Sequence, residues 1–284
     1  MSTTFSPRHL RFRALIIVLV LSIYATALAL NASAQEASEF DSYQVKLTGD
    51  WVYSRPSGTF RGINDATGVD LQRDLRFNSY STFVGKLDWK FTHKNHFYVM
   101  GIPFNSSRDV VLNRTIVFQG QTFVVGLSVH ASLNSPMYVF GYQYDIIRRR
   151  RGHLGLGVQA NVFDTRASVK AAAQVTGDGV HHAAISASGS LVAPVPVAGP
   201  EFRLYLTNSP RLFLDGNVYG MYFFGYGNFI SAAGSLGLTL LRHLTVNAGY
   251  QMGSRLVINN DSSTSRIGLS MTQRGPLAGL QLSF

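Results

Sequence analysis

The chain has 284 residues, no cysteine, 14% charged residues and a formal charge of +10 at neutral pH. Without cysteine it can hold no disulfide framework, no Cys-ligated metal and no lipidated N-terminal cysteine. The charged fraction falls far below the roughly 25% of a soluble domain, yet hydrophobic residues reach only 46%, too few for a helical membrane bundle. A sheet with one face in lipid reconciles the two, because only every second strand residue must be apolar.

Taken in chain order, Arg8, His9, Arg11 and Arg13 form a basic region, residues 14 to 30 an apolar one, and Ala32-Ser33-Ala34 a small-x-small site before Gln35. This order predicts a secretory signal peptide over 1–34, with Ala32, Ala34 and Gln35 marking the cleavage site. Three of the 25 Lys and Arg and none of the 15 Asp and Glu lie in that segment, leaving a formal +7 over 35–284. No later stretch is long and apolar enough for a transmembrane helix.

From Tyr43 onward the sequence alternates with period two, the signature of strands. Tyr43, Val45, Leu47, Gly49, Trp51 and Tyr53 share one face, and Gln44, Lys46, Thr48, Asp50 and Ser54 the other. Phe83, Leu87, Trp89 and Phe91 oppose Thr82, Lys86, Asp88 and Lys90, and a third run groups Tyr98, Met100, Ile102 and Phe104. Further apolar faces carry Tyr138 to Tyr144, Leu154 to Val162, Phe202 to Leu206, and Leu212 to Tyr222. The last runs set Leu236, Leu238 and Leu240 against Ser235 and Thr239, Leu244 to Met252 against Thr245, Asn247, Gln251 and Arg255, and end with Ala278, Leu280, Leu282 and Phe284.

The polar faces carry too little bulk for a second core layer, so the pattern predicts an all-β antiparallel up-and-down transmembrane barrel, apolar outside and polar inside. Short connections near 93–96, 148–152, 207–211 and 242–243 alternate with long ones near 56–76, 106–126, 164–190 and 256–266, which gives ten strands. The count falls to eight if the sixth run is not a crossing strand. Pro194, Pro196 and Pro200 conflict with a closed ladder there; placing Pro194 and Pro196 above the bilayer, with the crossing from Ala198 onward, resolves the conflict.

The ending GPLAGLQLSF, with apolar residues at alternate positions up to Phe284, resembles the C-terminal signal of bacterial outer-membrane barrels, here Leu280, Leu282 and Phe284. With the signal peptide and the alternating strands, the whole of 35–284 is similar to the small outer-membrane β-barrel proteins. The resemblance implies a Gram-negative outer membrane, both termini periplasmic, and outer-membrane lipids, lipopolysaccharide and the barrel-assembly machinery as partners. It implies no chemistry, since that family spans adhesins, narrow channels, enzymes and anchors.

No catalytic set emerges. Omptin proteases share the strand number, but their paired aspartates and Asp-x-His motif have no match in this sequence. His130-Ala131-Ser132 resembles the His-x-Ser spacing of a lipid A deacylase, which keeps a lipid-modifying hydrolase as an alternative. Its acid candidate Asp145 has the wrong strand parity and lies roughly 40 Å away along an extended strand. His181 and His182 are adjacent and so diverge on a strand, and with His153 they make no metal site. No cofactor and no nucleic-acid motif is read.

The polar face instead predicts a lumen cluster of Lys46, Asp50, Lys86, Asp88, Asp215 and Arg255. A hairpin of the first two strands puts Lys46 near Asp88 and Lys86 near Thr48 and Asp50. Mixed signs in a narrow barrel favour ion pairs that plug it. The expected role is structural or surface-interacting, with contacts made by outer loops; a narrow solute channel is the other reading. Arg148 to Arg151 is placed in a periplasmic turn, either meeting anionic headgroups or peptidoglycan, or simply snorkelling to the interface.

Overall fold

The computed structural model describes residues 43–61, 68–172, 174–175, 181–182, 184–207, 211–223, 227–259 and 268–284. The signal-peptide expectation, with Ala32, Ala34 and Gln35, lies outside the described residues. In chain order the strands are β1 (Val45–Arg61), β2 (Val69–Asp70), β3 (Tyr80–Lys90), β4 (Asn95–Ile102), β5 (Asn105–Val111), β6 (Ile116–Phe118), β7 (Gln121–Phe123), β8 (Ser128–Asn134), β9 (Met137–Arg149) and β10 (Gly152–Ala171). There follow β11 (Gln174–Val175), β12 (His181–His182), β13 (Ile185–Tyr205), β14 (Leu212–Phe223), β15 (Gly227–Leu241), β16 (Leu244–Asn259) and β17 (Gly268–Ser283). Among the described residues no helix is long and apolar enough to cross a membrane.

Ten of these strands, β13-β14-β15-β16-β17-β1-β3-β4-β9-β10, pair antiparallel in that order, and β10 pairs back onto β13 to close the ring. The expected strand number is therefore the observed one. A closed ring leaves no unpaired edge within lipid, which is why a sheet can span a membrane at all. Four short turns and both strand termini share one end, the turn end. There Phe284 donates its N–H to Val45 O at 2.8 Å and accepts from Gln44 N at 2.6 Å, joining first strand to last. One turn is fixed by Gly152, whose φ of 145° is open to glycine alone and whose Cβ position is filled by the Arg203 carbonyl.

The opposite, loop end is taller on one side. β5 and β8 prolong β4 and β9 past Pro103 and Pro136, and β8 continues the ladder along β10 from Arg166 to Ala171. The loops expected at 106–126 and 164–190 are therefore partly strand, forming a wall of β5, β8, β10 and β13. Its outer face carries Asn105, Ser107, Asn134, Ser168 and Ser188, and its inner face Val110, Val129, Ala131, Leu133, Val169 and Ala187.

The prolines sit inside one continuous strand. β10 pairs with β13 from Ile185 to Leu204 without a break, whereas β14 pairs only at Ala198 and from Glu201 to Tyr205. Pro194, Pro196 and Pro200 share one parity, and alternate residues of a strand point their N–H to the same side. All three missing donors thus fall toward β14, and the β10 ladder carries the closure.

The outer face is apolar along the turn-end half, with Trp51, Tyr53, Trp89, Phe91, Tyr142 and Tyr144 all exposed on it, as a lipid-facing girdle requires. Inside, glycines make room for large neighbours directly opposite them. A Cβ on Gly141 would strike Tyr98, one on Gly237 would strike Phe213, and one on Gly279 would strike Asp50. On the outer face Gly216 does the same for Phe202.

Candidate functional site

The lumen has two layers. The loop-end layer is apolar: Phe163, Phe229, Leu256 and Met271 point inward from four different strands, Phe104 joins them from the link between β4 and β5, and the five pack together. Over them fold two loops. Val69, Leu71, Leu75 and Phe77 come from the first; Leu112, Ile116, Phe118, Phe123 and Leu127 come from the second, and all are buried. The second loop carries a small hairpin, β6–β7, turned by Gln119 and Gly120 at φ 52° and 72°, the two positive values of a type I′ turn.

One ion pair clasps the two loops. Arg114 reaches Asp74 through Nε at 2.8 Å and Nη2 at 2.5 Å, and its Nη2 also meets Gly68 O at 3.1 Å. Asp74 further accepts the Asp70 N–H at 2.7 Å. Burial alone would raise the Asp74 carboxyl, but the Arg114 and Asp70 hydrogen bonds and the Arg114 charge together hold it below the usual carboxylate range.

The turn-end layer is polar and almost fully paired. Lys46 faces Asp88 across the β1–β3 ladder with Nζ–Oδ2 at 3.7 Å, and Lys86 faces Thr48, as the hairpin register predicts. His96 lies between two carboxylates, Nε2 3.1 Å from Asp145 and Nδ1 3.4 Å from Asp88. Asp145 also accepts Gln143 Nε2 at 2.8 Å and Arg148 Nη1 at 3.3 Å, and Arg148 donates to the His93 carbonyl as well. The first arginine of the basic run is thus part of the interior. Arg203 holds Asp215 by two bonds of 2.7 Å and lies 4.1 Å above the Phe213 ring. Higher up, Tyr98 and Tyr219 both donate to Glu201, Lys86 sits 4.0 Å over the Tyr98 ring, and Asn247 donates to Asp50 at 2.8 Å.

Between the layers lies a cavity of about 230 Å³. Lys46, Asp50, Lys86, Asp88 and Asp215 of the expected cluster line it together, with Tyr98, Glu201, Arg203 and Asn247. Two buried carbonyl oxygens on its wall, Asn161 Oδ1 and Asn247 Oδ1, meet no protein donor, so the cavity is a place for ordered water.

Three assignments from alternation are corrected. Arg255 does not join the lumen cluster. A bulge between Gln251 and Ser254 shifts the register, so Arg255 is exposed opposite the exposed Ile230 and Leu256 turns inward instead. The face of Tyr98, Met100, Ile102 and Phe104 is the inner one: Tyr98 is only 1% exposed, while Phe97 faces out. Tyr43 is also interior, because it lies two residues before β1 begins at Val45 and so need not keep the strand's alternation; its hydroxyl donates to Asp88 at 3.2 Å. The buried Asp88–His96–Asp145 series went unread, since His96 stood among the turn residues.

His130 and Ser132 lie on the outer face of the wall. His130 Nδ1 is 2.7 Å from Asp109, its cross-strand neighbour, and Ser132 Oγ is 2.8 Å from Ser168 Oγ. Both members of the His–Asp pair are solvent-exposed. His130 stands eight residues before Tyr138 in the chain, roughly 27 Å of strand above that exposed ring. Among the described residues no group of His, Cys, Asp or Glu could hold a metal ion. Leu280 and Leu282 point outward, and the Phe284 ring stacks on His243 at 5.7 Å.

This architecture, a closed antiparallel ring of ten strands with an aromatic-girdled apolar exterior, is that of the bacterial outer-membrane β-barrel proteins. Among solved structures, the outer-membrane protease OmpT of Escherichia coli matches with a TM-score of 0.52 at 13% identity, over 87% of this chain and 100% of that one. The toluene transporter TodX of P. putida (TM-score 0.37, 8% identity, 85% of this chain and 90% of that one) shares less of the shape. So does Ail of Yersinia pestis in complex with a heparin analogue (0.33, 11%, 82% and 99%). At such identities the likeness is one of fold and leaves activity open. No protein-family model matches this sequence, and no curated protein matches it.

Proposed function

We propose that this barrel is plugged and acts in the outer membrane through its surfaces, as a structural or surface-interacting protein rather than as a pore or an enzyme. In this reading the turn end faces the periplasm. The loops and the wall meet lipopolysaccharide or external partners, and Leu280, Leu282 and Phe284 serve the assembly machinery.

The supporting observation is the double filling of the lumen. An apolar layer from four strands, the β4–β5 link and two clasped loops covers one half, and paired charges crowd the other around a closed-in polar cavity. Conduction would need both layers to part. The exposure of the His130–Asp109 pair, far above the apolar belt, speaks against a hydrolase, whose base and nucleophile work shielded beside the acyl chain.

The test is recording from purified protein in planar lipid bilayers. The expected trace is silent, or shows only rare brief openings. A steady conductance of nanosiemens size would refute the plug and favour the channel.

A further inference from the structure

The charged side chains exposed at the turn end have one sign. Each of its four turns carries a cation: Lys94, the run Arg149 to Arg151, Arg211, and Arg242, all exposed. Among the described residues no acidic side chain is exposed there, because Asp88 and Asp145 are buried in the lumen. The loop end, by contrast, mixes signs, with Asp109 and Asp164 beside Lys170 and Arg166.

The depth of these cations is set by their neighbours. Ile146 and Ile147 are exposed just before Arg148, Leu241 just before Arg242, Phe91 two residues before His93, and Leu206 at the start of the Arg211 turn. In three of the four turns the apolar belt thus runs to within one to three residues of a charge of the ring, or roughly 3–10 Å of strand. Groups so placed lie at headgroup depth, where long basic side chains reach phosphate. A soluble acidic partner would have to approach through the membrane surface itself.

We propose that the turn end is a binding ring for anionic phospholipid headgroups, which it gathers around the barrel in the leaflet on that side. Arg148 is not part of the ring, since it is committed to Asp145 and His93. Each cation near such a surface favours the charged lipid roughly fivefold, and salt weakens the effect. The ring does not depend on whether the lumen is plugged. Its failure would leave the conductance result untouched, and the reverse holds too.

A rival occupant is the chain's own acidic stretch, Glu36, Glu39 and Asp41, which precedes β1 in sequence and lies outside the described residues. Trp89 supplies a built-in reporter: it is exposed on the outer face near the turn end, its ring 5.7 Å from Phe91. A Trp51→Phe protein keeps it as the sole tryptophan. This protein is reconstituted in phosphatidylcholine vesicles holding a minor fraction of brominated lipid, either phosphatidylglycerol or phosphatidylcholine.

At low salt, brominated phosphatidylglycerol is expected to quench Trp89 several-fold more effectively. The preference should shrink at high salt and be lost in Arg149→Ser/Arg150→Ser/Arg151→Ser/Arg242→Ser. Should that variant not assemble, Lys94→Ser/Arg211→Ser/Arg242→Ser tests the remaining turns and should reduce the preference. Equal quenching by the two lipids, or a preference unchanged in the variants, would overturn the proposal. So would a preference that emerges only in Glu36→Gln/Glu39→Gln/Asp41→Asn, which would assign the ring to the chain's own segment.

Discussion

Replacing Asp145 with alanine tests the account of the interior most directly. The carboxylate is fully buried and accepts from His96, Gln143 and Arg148. Of these partners, His96 is 1% and Arg148 7% exposed at the side chain, so neither can turn to bulk water without moving the wall. Removing one member of a buried charged set leaves the others uncompensated, at a cost of about 3–5 kcal/mol. Asp145→Ala should therefore unfold at markedly lower urea, followed by tryptophan fluorescence in lipid vesicles. Arg148→Ala in the same background should recover part of the loss, because it removes the stranded charge. The double-mutant cycle should then show a coupling above about 1 kcal/mol. A single variant within about 1 kcal/mol of the parent, or strictly additive losses, would refute the reasoning.

Three further outcomes follow from the same geometry. Phe123→Ala empties a fully buried site in the loop-end layer and should cost about 3–5 kcal/mol, with faster hydrogen exchange at the Leu112 and Gly126 amides that tie the second loop. A cysteine replacing Arg255 should react with a membrane-impermeant maleimide, whereas one replacing the buried Asn247 should not; equal reactivity would contradict the bulge. Because the folded Asp74 carboxyl titrates below its unfolded value of roughly 3.9, the clasp contributes fully above that pH and is lost as pH falls through the lower folded value. Pepsin cleavage within 68–79 and 112–127 should therefore rise below about pH 4 in the parent, and this acid step should vanish in Asp74→Asn.

Alternation made the strands legible because lipid imposes it on every strand that crosses. Direct cross-strand pairs could be read the same way, and the Lys46–Asp88 and Lys86–Thr48 pairings needed only a symmetric hairpin. Face assignment failed where the interior is itself apolar. Tyr98 and Phe104 look like lipid-facing residues, yet they point into a layer filled from above by loops. The filling was invisible because Leu71, Phe77, Ile116 and Phe123 follow no strand period. Arg255 was misplaced by one extra residue, and local sequence does not announce a bulge. His96 belonged to a strand rather than a turn, and its partners Asp88 and Asp145 come from β3 and β9, the two strands that flank β4, a convergence that needs β4 to pair with β9 across the long 103–136 segment.

The paired glycines bear on how the strands find their partners. A slip of one residue would turn every side chain to the wrong face and betray itself at once. A slip of two keeps oily residues outside and polar ones inside, so lipid cannot reject it. Steric fit can. Two residues out of step, Tyr98 would meet Val139 or Gln143 in place of Gly141, and Phe213 would meet Ser235 or Thr239 in place of Gly237. Each bulky group and its bare neighbour form a lock and key between strands, so this chain carries its own proofreading of alignment.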